Sequence, residues 1–160
     1  MTPSLRPLTS SDDPILWRAL YHAIHVEPGG TPPPRTIVHQ PELARYVAGR
    51  DPDRLGAVAE ADGEAVGAAW LRLWTGSDRG YGFVAEDIPE LSMAVFPGWR
   101  GQGIGTRLLR WVLREAAAQH RAVSLSVSLS NPARRLYERE GFAHVPNTEA
   151  GGSVTMLRRF

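Results

Sequence analysis

With 160 residues, 42% of them hydrophobic and 22% charged, the chain has the size and composition of one globular domain, which excludes disordered, collagen-like and coiled-coil readings. It has no cysteine and all 18 of its basic residues are arginine, which removes disulfides, thiolate nucleophiles and thiolate zinc sites and, for want of lysine, Schiff-base and P-loop chemistry. The net charge of +1 makes no case for nucleic acid, yet residues 1–90 hold 8 Arg against 13 acids and residues 91–160 hold 10 Arg against 4, so the first half favours a cation and the second an anion.

In chain order, Ser11-Asp12-Asp13-Pro14 opens a helix that runs to about Ile24 on Ile15, Leu16, Ala19, Leu20 and Ala23. Glu27 to Arg35, rich in Pro and Gly, is a loop, and Pro41 to Val47 reads as a short helix ended by Gly49. Leu55 to Ala61, Asp62-Gly63 and Glu64 to Trp74 form a strand, a tight turn and a longer strand, an antiparallel hairpin. Thr75 to Gly82 is turn-rich, and Leu91 to Phe96 is a strand ending at Pro97-Gly98. From Ile104 to Gln119 a helix buries Ile104, Leu108, Leu109, Val112, Leu113 and Ala116 and exposes Arg107, Arg110 and Arg114.

Val123 to Ser130 alternates valine or leucine with serine without exception, a strand with one apolar and one hydroxyl face. Asn131-Pro132 starts a helix to Arg139, Gly141 closes it, and Phe142 to Val145 and Ser153 to Leu157 are two final strands. A hairpin combined with parallel crossovers gives an α+β sheet with helices packed on it. No run approaches the roughly 18 apolar residues of a bilayer crossing, and Met1 to Ser10 lacks the regions of a signal peptide, so a cytoplasmic chain with no membrane partner is expected. No spacing of His, Asp and Glu points to a metal.

Between the strand ending at Phe96 and the helix from Ile104 lies Arg100-Gly101-Gln102-Gly103-Ile104-Gly105. Glycines let a backbone approach a ligand, and the first N–H groups of a helix have no internal acceptor and point along the positive end of its dipole. A phosphate or pyrophosphate fits such a place; a turn with no ligand, where Gly103 and Gly105 relieve packing of helix on strand, is the other reading. A dinucleotide fingerprint fits poorly, since Thr106 or Leu108 takes the third glycine position and Leu125 the place of the ribose acid.

Leu91 to Gly105 with Leu108 closely resembles the acyl-CoA motif of the GCN5-related N-acetyltransferase superfamily, whose central helix opens on Arg or Gln, two residues, Gly, one residue, and Gly or Ala. Arg100, Gly103 and Gly105 fit it, and Ala133, Leu136-Tyr137 and Gly141-Phe142 match the family's following helix. The match spans about residues 88–145. It implies a single N-acetyltransferase domain over residues 1–160, with a mixed, mostly antiparallel sheet and helices on both faces. Acetyl-CoA is the implied cosubstrate and a small-molecule or peptide amine the acceptor; a second copy of the chain is compatible with it.

By the resemblance, backbone N–H groups from Gly101 through Gln102, Gly103, Ile104 and Gly105 to Thr106 hold the pyrophosphate. Met93, Ala94 and Val95 offer main-chain groups to the pantetheine arm and the thioester carbonyl, with the N–H of Val95 or a neighbour as oxyanion donor. The family's asparagine falls on Ser130, and Asn131 follows, so either makes the polar contact to the arm. Tyr137 would protonate the departing thiolate or pack with Leu136 and Phe142. Glu90 is the candidate general base, one residue from the position some relatives use; Glu86, Asp87, His25, His22 and a water chain are the others. Trp70 and Trp74 read as core or acceptor-pocket wall. A noncatalytic domain of the same fold that binds coenzyme A as a sensor would use the same turn, and thiol release on mixing acetyl-CoA with amines separates the two.

Overall fold

The computed structural model of the chain describes residues 2–49 and 54–160; Arg50, Asp51 and Asp53, part of the N-terminal charge balance, lie outside the described residues. The elements are β1 (Ser4–Pro7), α1 (Asp13–Ala23), a 3-10 turn (Arg35–His39), α2 (Pro41–Ala44), β2 (Gly56–Ala61) and β3 (Glu64–Arg72). They continue with β4 (Glu90–Val95), α3 (Ile104–Ala117), β5 (Ala122–Ser128), α4 (Ala133–Arg139), β6 (Ala143–His144) and β7 (Ser153–Arg159). The strands form one seven-stranded sheet in the order β1-β2-β3-β4-β5-β7-β6, and every neighbouring pair is antiparallel except β4 with β5. The expected α+β class, with helices on both faces of a mostly antiparallel sheet, is what the chain adopts.

Local chemistry accounts for most of the boundaries. Asp62 and Gly63 both take positive φ, 53° and 80°, which is the backbone a two-residue hairpin needs and which Asp-Gly tolerates. All six apolar residues read onto the inner face of α3 are buried, and the valines and leucines of β5 pack with them against one side of the sheet. The other side carries α1 and the loop after it over Val58, Ala68, Trp70, Ala94 and Phe96. Leu108, fully buried on the inner face of α3, belongs to the first of these cores. Leu108→Ala should cost about 3 kcal/mol, within the range for buried leucines, read as a drop in the urea midpoint with an unchanged slope.

Among the differences from the sequence reading, three have a plain cause. Strand β1 was not expected: it is four residues long and ends in Pro7, and it exists because Leu5 pairs with Ala59 at the sheet edge, where proline is tolerated. Helix α2 stops at Ala44 instead of Val47 because the chain tightens there: the Tyr46 and Val47 N–H groups donate to Leu43 O and Ala44 O, three residues back, at 3.0 Å each. Strand β6 is two residues rather than four, since the Phe142 N–H closes α4 on Tyr137 O at 3.0 Å and is lost to any ladder.

What positions the site is the one parallel pair. Between β4 and β5 the ladder holds a single register pair, Glu90 with Ser124, and Ser124 N–H donates to Pro89 O at 3.0 Å. Each strand beyond this point keeps its outer partner, β3 for β4 and β7 for β5. The sheet is therefore joined at Glu90 and split toward Val95.

Candidate active site

The split exposes main-chain groups to the gap. In an antiparallel ladder a residue's N–H and C=O both face one neighbour, and the next residue's face the other. Phe96 N–H bonds Val66 O at 2.9 Å, so Phe96, Ala94 and Ser92 turn their polar groups to β3 and Val95 and Met93 turn theirs toward β5. By the same count Ser126 and Ser128 face the gap from β5, since Leu129 N–H bonds Gly152 O at 2.8 Å on the outer side. Arg100 Nε donates to Val95 O at 2.9 Å, which leaves the Val95 N–H as the donor there. Met93 and Val95 thus turn main-chain groups to the gap. Those of Ala94 belong to the β3 ladder, and a Cβ on Gly67 of β3 would lie 2.9 Å from Ala94 O.

At the open end of β4 the chain turns into α3 through three left-handed glycines, Gly98, Gly101 and Gly103, with φ of 90°, 77° and 81°. A Cβ built on Gly101 or Gly103 meets nothing within 4 Å, so packing relief does not explain Gly103; the backbone conformation and the open space in front of it do. Gly105 is in ordinary contact, its added Cβ 3.6 Å from Leu136 and Val95. The first hydrogen bond of α3 is Arg107 N–H to Gly103 O at 3.2 Å, which leaves the N–H groups of Ile104, Gly105 and Thr106 outside the helix ladder. The Gln102 side chain donates to Gly98 O at 3.5 Å and braces the turn. Arg100 spans from Val95 O to His22 O, the latter at 3.4 Å, and so ties this turn to the end of α1.

Glu90 begins β4 on the α1 side of the sheet and is 2% exposed. Its carboxylate accepts from Tyr46 Oη at 2.6 Å, from Trp74 Nε1 at 3.0 Å and from the Gly82 N–H. Burial pushes its pKa up to about 7 against the pull of those donors. The Tyr46 hydroxyl also accepts from Tyr81 N–H at 2.8 Å, and burial, reinforced by the Glu90 charge, holds its pKa well above the usual phenol range. Segment 80–82 can lie this close only because two of its residues are glycine. A Cβ on Gly80 would be 2.3 Å from Glu90 Oε1, and one on Gly82 would be 2.6 Å from the backbone of Leu125.

Across the parallel pair, Ser124 is fully buried with a hydroxyl that has no hydrogen-bond partner among the described residues. Ser126 and Ser128 follow on the same face, both half-buried, and Ser128 Oγ lies 3.3 Å from Ser130 Oγ. The hydroxyl face read from the sequence is a polar strip running from Glu90 to the open end.

Tyr137 of α4 is buried edge-on against Phe142, ring centroids 5.8 Å apart, and burial alone pushes its pKa up to about 12. Asn131 Oδ1 accepts from Ala133 N–H at 2.9 Å and caps α4, while Ser130 hydrogen-bonds Glu27 of the loop after α1. His22 is pushed below its usual range by burial and by Arg35, Arg18 and Arg100. His25 lies 3.6 Å from Glu27. Glu86 reaches the Gly76 N–H at 3.3 Å and Asp87 pairs with Arg121 at 2.6 Å, so both serve the loop before β4. Tyr46, Trp74 and Gly82, which hold Glu90, were not singled out as site residues: they come from three separate segments, and only Trp74 was weighed at all, as core or pocket wall.

Among the described residues no helix is long and apolar enough to cross a membrane, and no three His, Asp or Glu gather as metal ligands. A comparison with curated protein sequences finds no match. The same architecture occurs in the GNAT domain of S. lividans PAT, which is 19% identical with a TM-score of 0.69 over 99% of this chain and 90% of that one. It occurs also in PaiA N-acetyltransferase from Thermoplasma acidophilum in complex with coenzyme A (18% identical, TM-score 0.68, 100% of both chains). A third is ribosomal-protein-alanine N-acetyltransferase from Brucella melitensis (23%, 0.65, 98% of this chain and 99% of that one). The model of the acetyltransferase (GNAT) family matches residues 17–142, from α1 through the split strands and the glycine turn to Phe142, and the chain belongs to that family.

Proposed function

We propose that the protein transfers an acetyl group from acetyl-CoA to an amine by direct attack within a ternary complex, residues 1–160 acting as one catalytic domain. The observation that carries this is the split between β4 and β5, opening onto the uncommitted N–H groups at the start of α3. The open cradle at Gly101 and Gly103 fits a pyrophosphate. The main-chain groups of Met93, Ser126 and Ser128 fit the amides of a pantetheine arm, and Ser130 or the free amide nitrogen of Asn131 extends that contact. With no cysteine in the chain, an acyl-enzyme thioester has no residue to form on.

The Val95 N–H donates to the thioester carbonyl oxygen as negative charge gathers there, a contribution of about 2.7–4 kcal/mol where single oxyanion donors have been removed. Glu90 accepts the proton of the attacking amine. The hydroxyl strip of β5 supplies the route, beginning at Ser124, whose backbone is the register partner of Glu90. A carboxyl with a pKa of about 7 is half ionised at neutral pH and basic enough to hold the proton it takes.

Tyr137 acts as hydrogen-bond donor to the departing sulfur. With its pKa near 12, roughly 3 units above a reference thiol, the phenol stays protonated and steadies the thiolate without surrendering its proton. Tyr137→Phe should leave the acetyl-CoA Kd unchanged and lower kcat by about 10- to 100-fold. Weakened binding with kcat intact would make the residue a packing group. The proposed activity itself is tested by thiol release from acetyl-CoA against a panel of amines, and a protein that binds coenzyme A yet releases no thiol with any amine would be a sensor.

A further inference from the structure

One acid of the N-terminal half, Glu27, stands at the open end of the split, bonded to Ser130 and 3.6 Å from His25, and five others are paired with arginine elsewhere. Asp12 and Glu60 pair with Arg6, Asp13 with Arg54, Asp78 with Arg45 and Asp87 with Arg121. Also standing at the open end is a row of packed planar groups at the end of α1, its ring pairs tilted or edge-on. The Arg18 guanidinium lies 4.1 Å above the Phe96 ring, Phe96 is 5.4 Å from His22, His22 is 5.3 Å from Tyr21, and the Arg35 guanidinium is 5.0 Å from Tyr21. Both arginines are exposed, and among the described residues neither has an ion pair or a hydrogen bond. Ring faces hold them and leave their N–H edges free.

The place of this row in the fold is informative. The chain leaving α1 bridges the split, tied to the β4 end by Arg100 on His22 O and to the β5 end by Glu27 on Ser130. It lies on the sheet face that carries Glu90, opposite the face that carries α3. A cosubstrate held at the start of α3 leaves this face to the acceptor.

We propose that Arg18 and Arg35 bind an anionic group on the acceptor, so that the substrate is an amine that also bears a carboxylate, phosphonate or phosphate. This rests on the acetyl-transfer reading above. His22, held low by burial first and then by Arg35, Arg18 and Arg100, borders the same arginines, and their charge has a use: near two guanidinium groups an ammonium loses its proton more readily, which favours the nucleophilic amine.

The test is steady-state kinetics with amines matched except for the acid group, α-amino acids against their decarboxylated amines and aminoalkylphosphonates against alkylamines. The anionic member should lead in kcat/KM by at least about tenfold, and Arg18→Ala or Arg35→Ala should erase most of that lead. The lead should shrink as salt rises. Calorimetry with coenzyme A and dephospho-coenzyme A, on wild type and both variants, supplies the second arm: preference for the 3′-phosphate should be untouched. Loss of that preference assigns the arginines to the cosubstrate and overturns the inference. Equal use of both members of each pair, with the arginine variants unchanged, overturns it while acetyl transfer stands. No thiol release with any amine brings down the acetyl-transfer reading, and the inference with it.

Discussion

Gly103→Val is expected to abolish acetyl-CoA binding, by at least about a hundredfold in Kd, in a protein that still folds. Gly103 sits immediately before α3 at φ 81°, and a Cβ there meets no protein atom within 4 Å. The substitution therefore costs left-handed strain of about 1–2 kcal/mol, small against the 5–15 kcal/mol typical of a folded domain, and makes no clash of its own. Its branches project into the open space where a phosphate must come within hydrogen-bond distance of the backbone. Gly63 provides the control: it has φ 80°, its added Cβ is equally unobstructed, and it lies at the β2–β3 hairpin tip. Gly63→Val carries the same strain and should bind acetyl-CoA as wild type does. Calorimetry on both, with thermal midpoints alongside, separates a blocked cradle from a weakened fold. Equal affinity in a folded Gly103→Val protein would remove the anion cradle from the mechanism.

That turn was legible because everything it needs is local: glycines for positive φ, an apolar strand before and an amphipathic helix after. The same holds for the Asp62-Gly63 hairpin, the buried stripe of α3 and the alternation along β5, each decided within about ten residues by period and turn chemistry. Strand β1 was not legible, since four residues ending in proline carry no period and only pairing with β2 makes them a strand.

The site divides along the same line. Met93, Val95 and the glycine turn follow from local order, whereas the environment of Glu90 is assembled over long range: Tyr46 lies 44 residues before it and Trp74 16 residues before it. Spacing alone left Glu90 one position from the family's pattern. The alternation of β4 settles its side of the sheet, since Glu90 shares the α1 face with Ala94 and Phe96. Charge counting is blind to placement in the same way: a sum over residues 1–90 cannot register that Asp12, Asp13, Glu60, Asp78 and Asp87 pair with arginines while Arg18 and Arg35 have no acid partner among the described residues.

The long-range cradle is what makes Glu90→Gln the most discriminating substitution, because it carries two separable consequences. For catalysis, kcat at pH 7 should fall about a hundredfold or more, and the wild-type rise in rate through about pH 7, where Glu90 ionises, should vanish. Only the climb from free amine at higher pH should remain. For stability the sign runs the other way. The folded pKa of about 7 stands above the 4.5 of an unperturbed glutamate, so between those values the unfolded chain ionises while the folded one keeps its proton. Wild type thus loses stability as pH rises from about 4.5 through 7, by roughly 3 kcal/mol at 1.36 kcal/mol per unit, and Glu90→Gln, which cannot titrate, does not. Relative to wild type, the variant's thermal midpoint should gain several degrees between pH 4.5 and pH 8, at about 2–4 °C per kcal/mol. Both effects together describe a carboxylate kept at a cost to the fold for the sake of the reaction. A stability gain with an unchanged rate profile would describe a buried carboxylate that only joins Tyr46 to Trp74, and would pass the proton to another group on the hydroxyl face of β5.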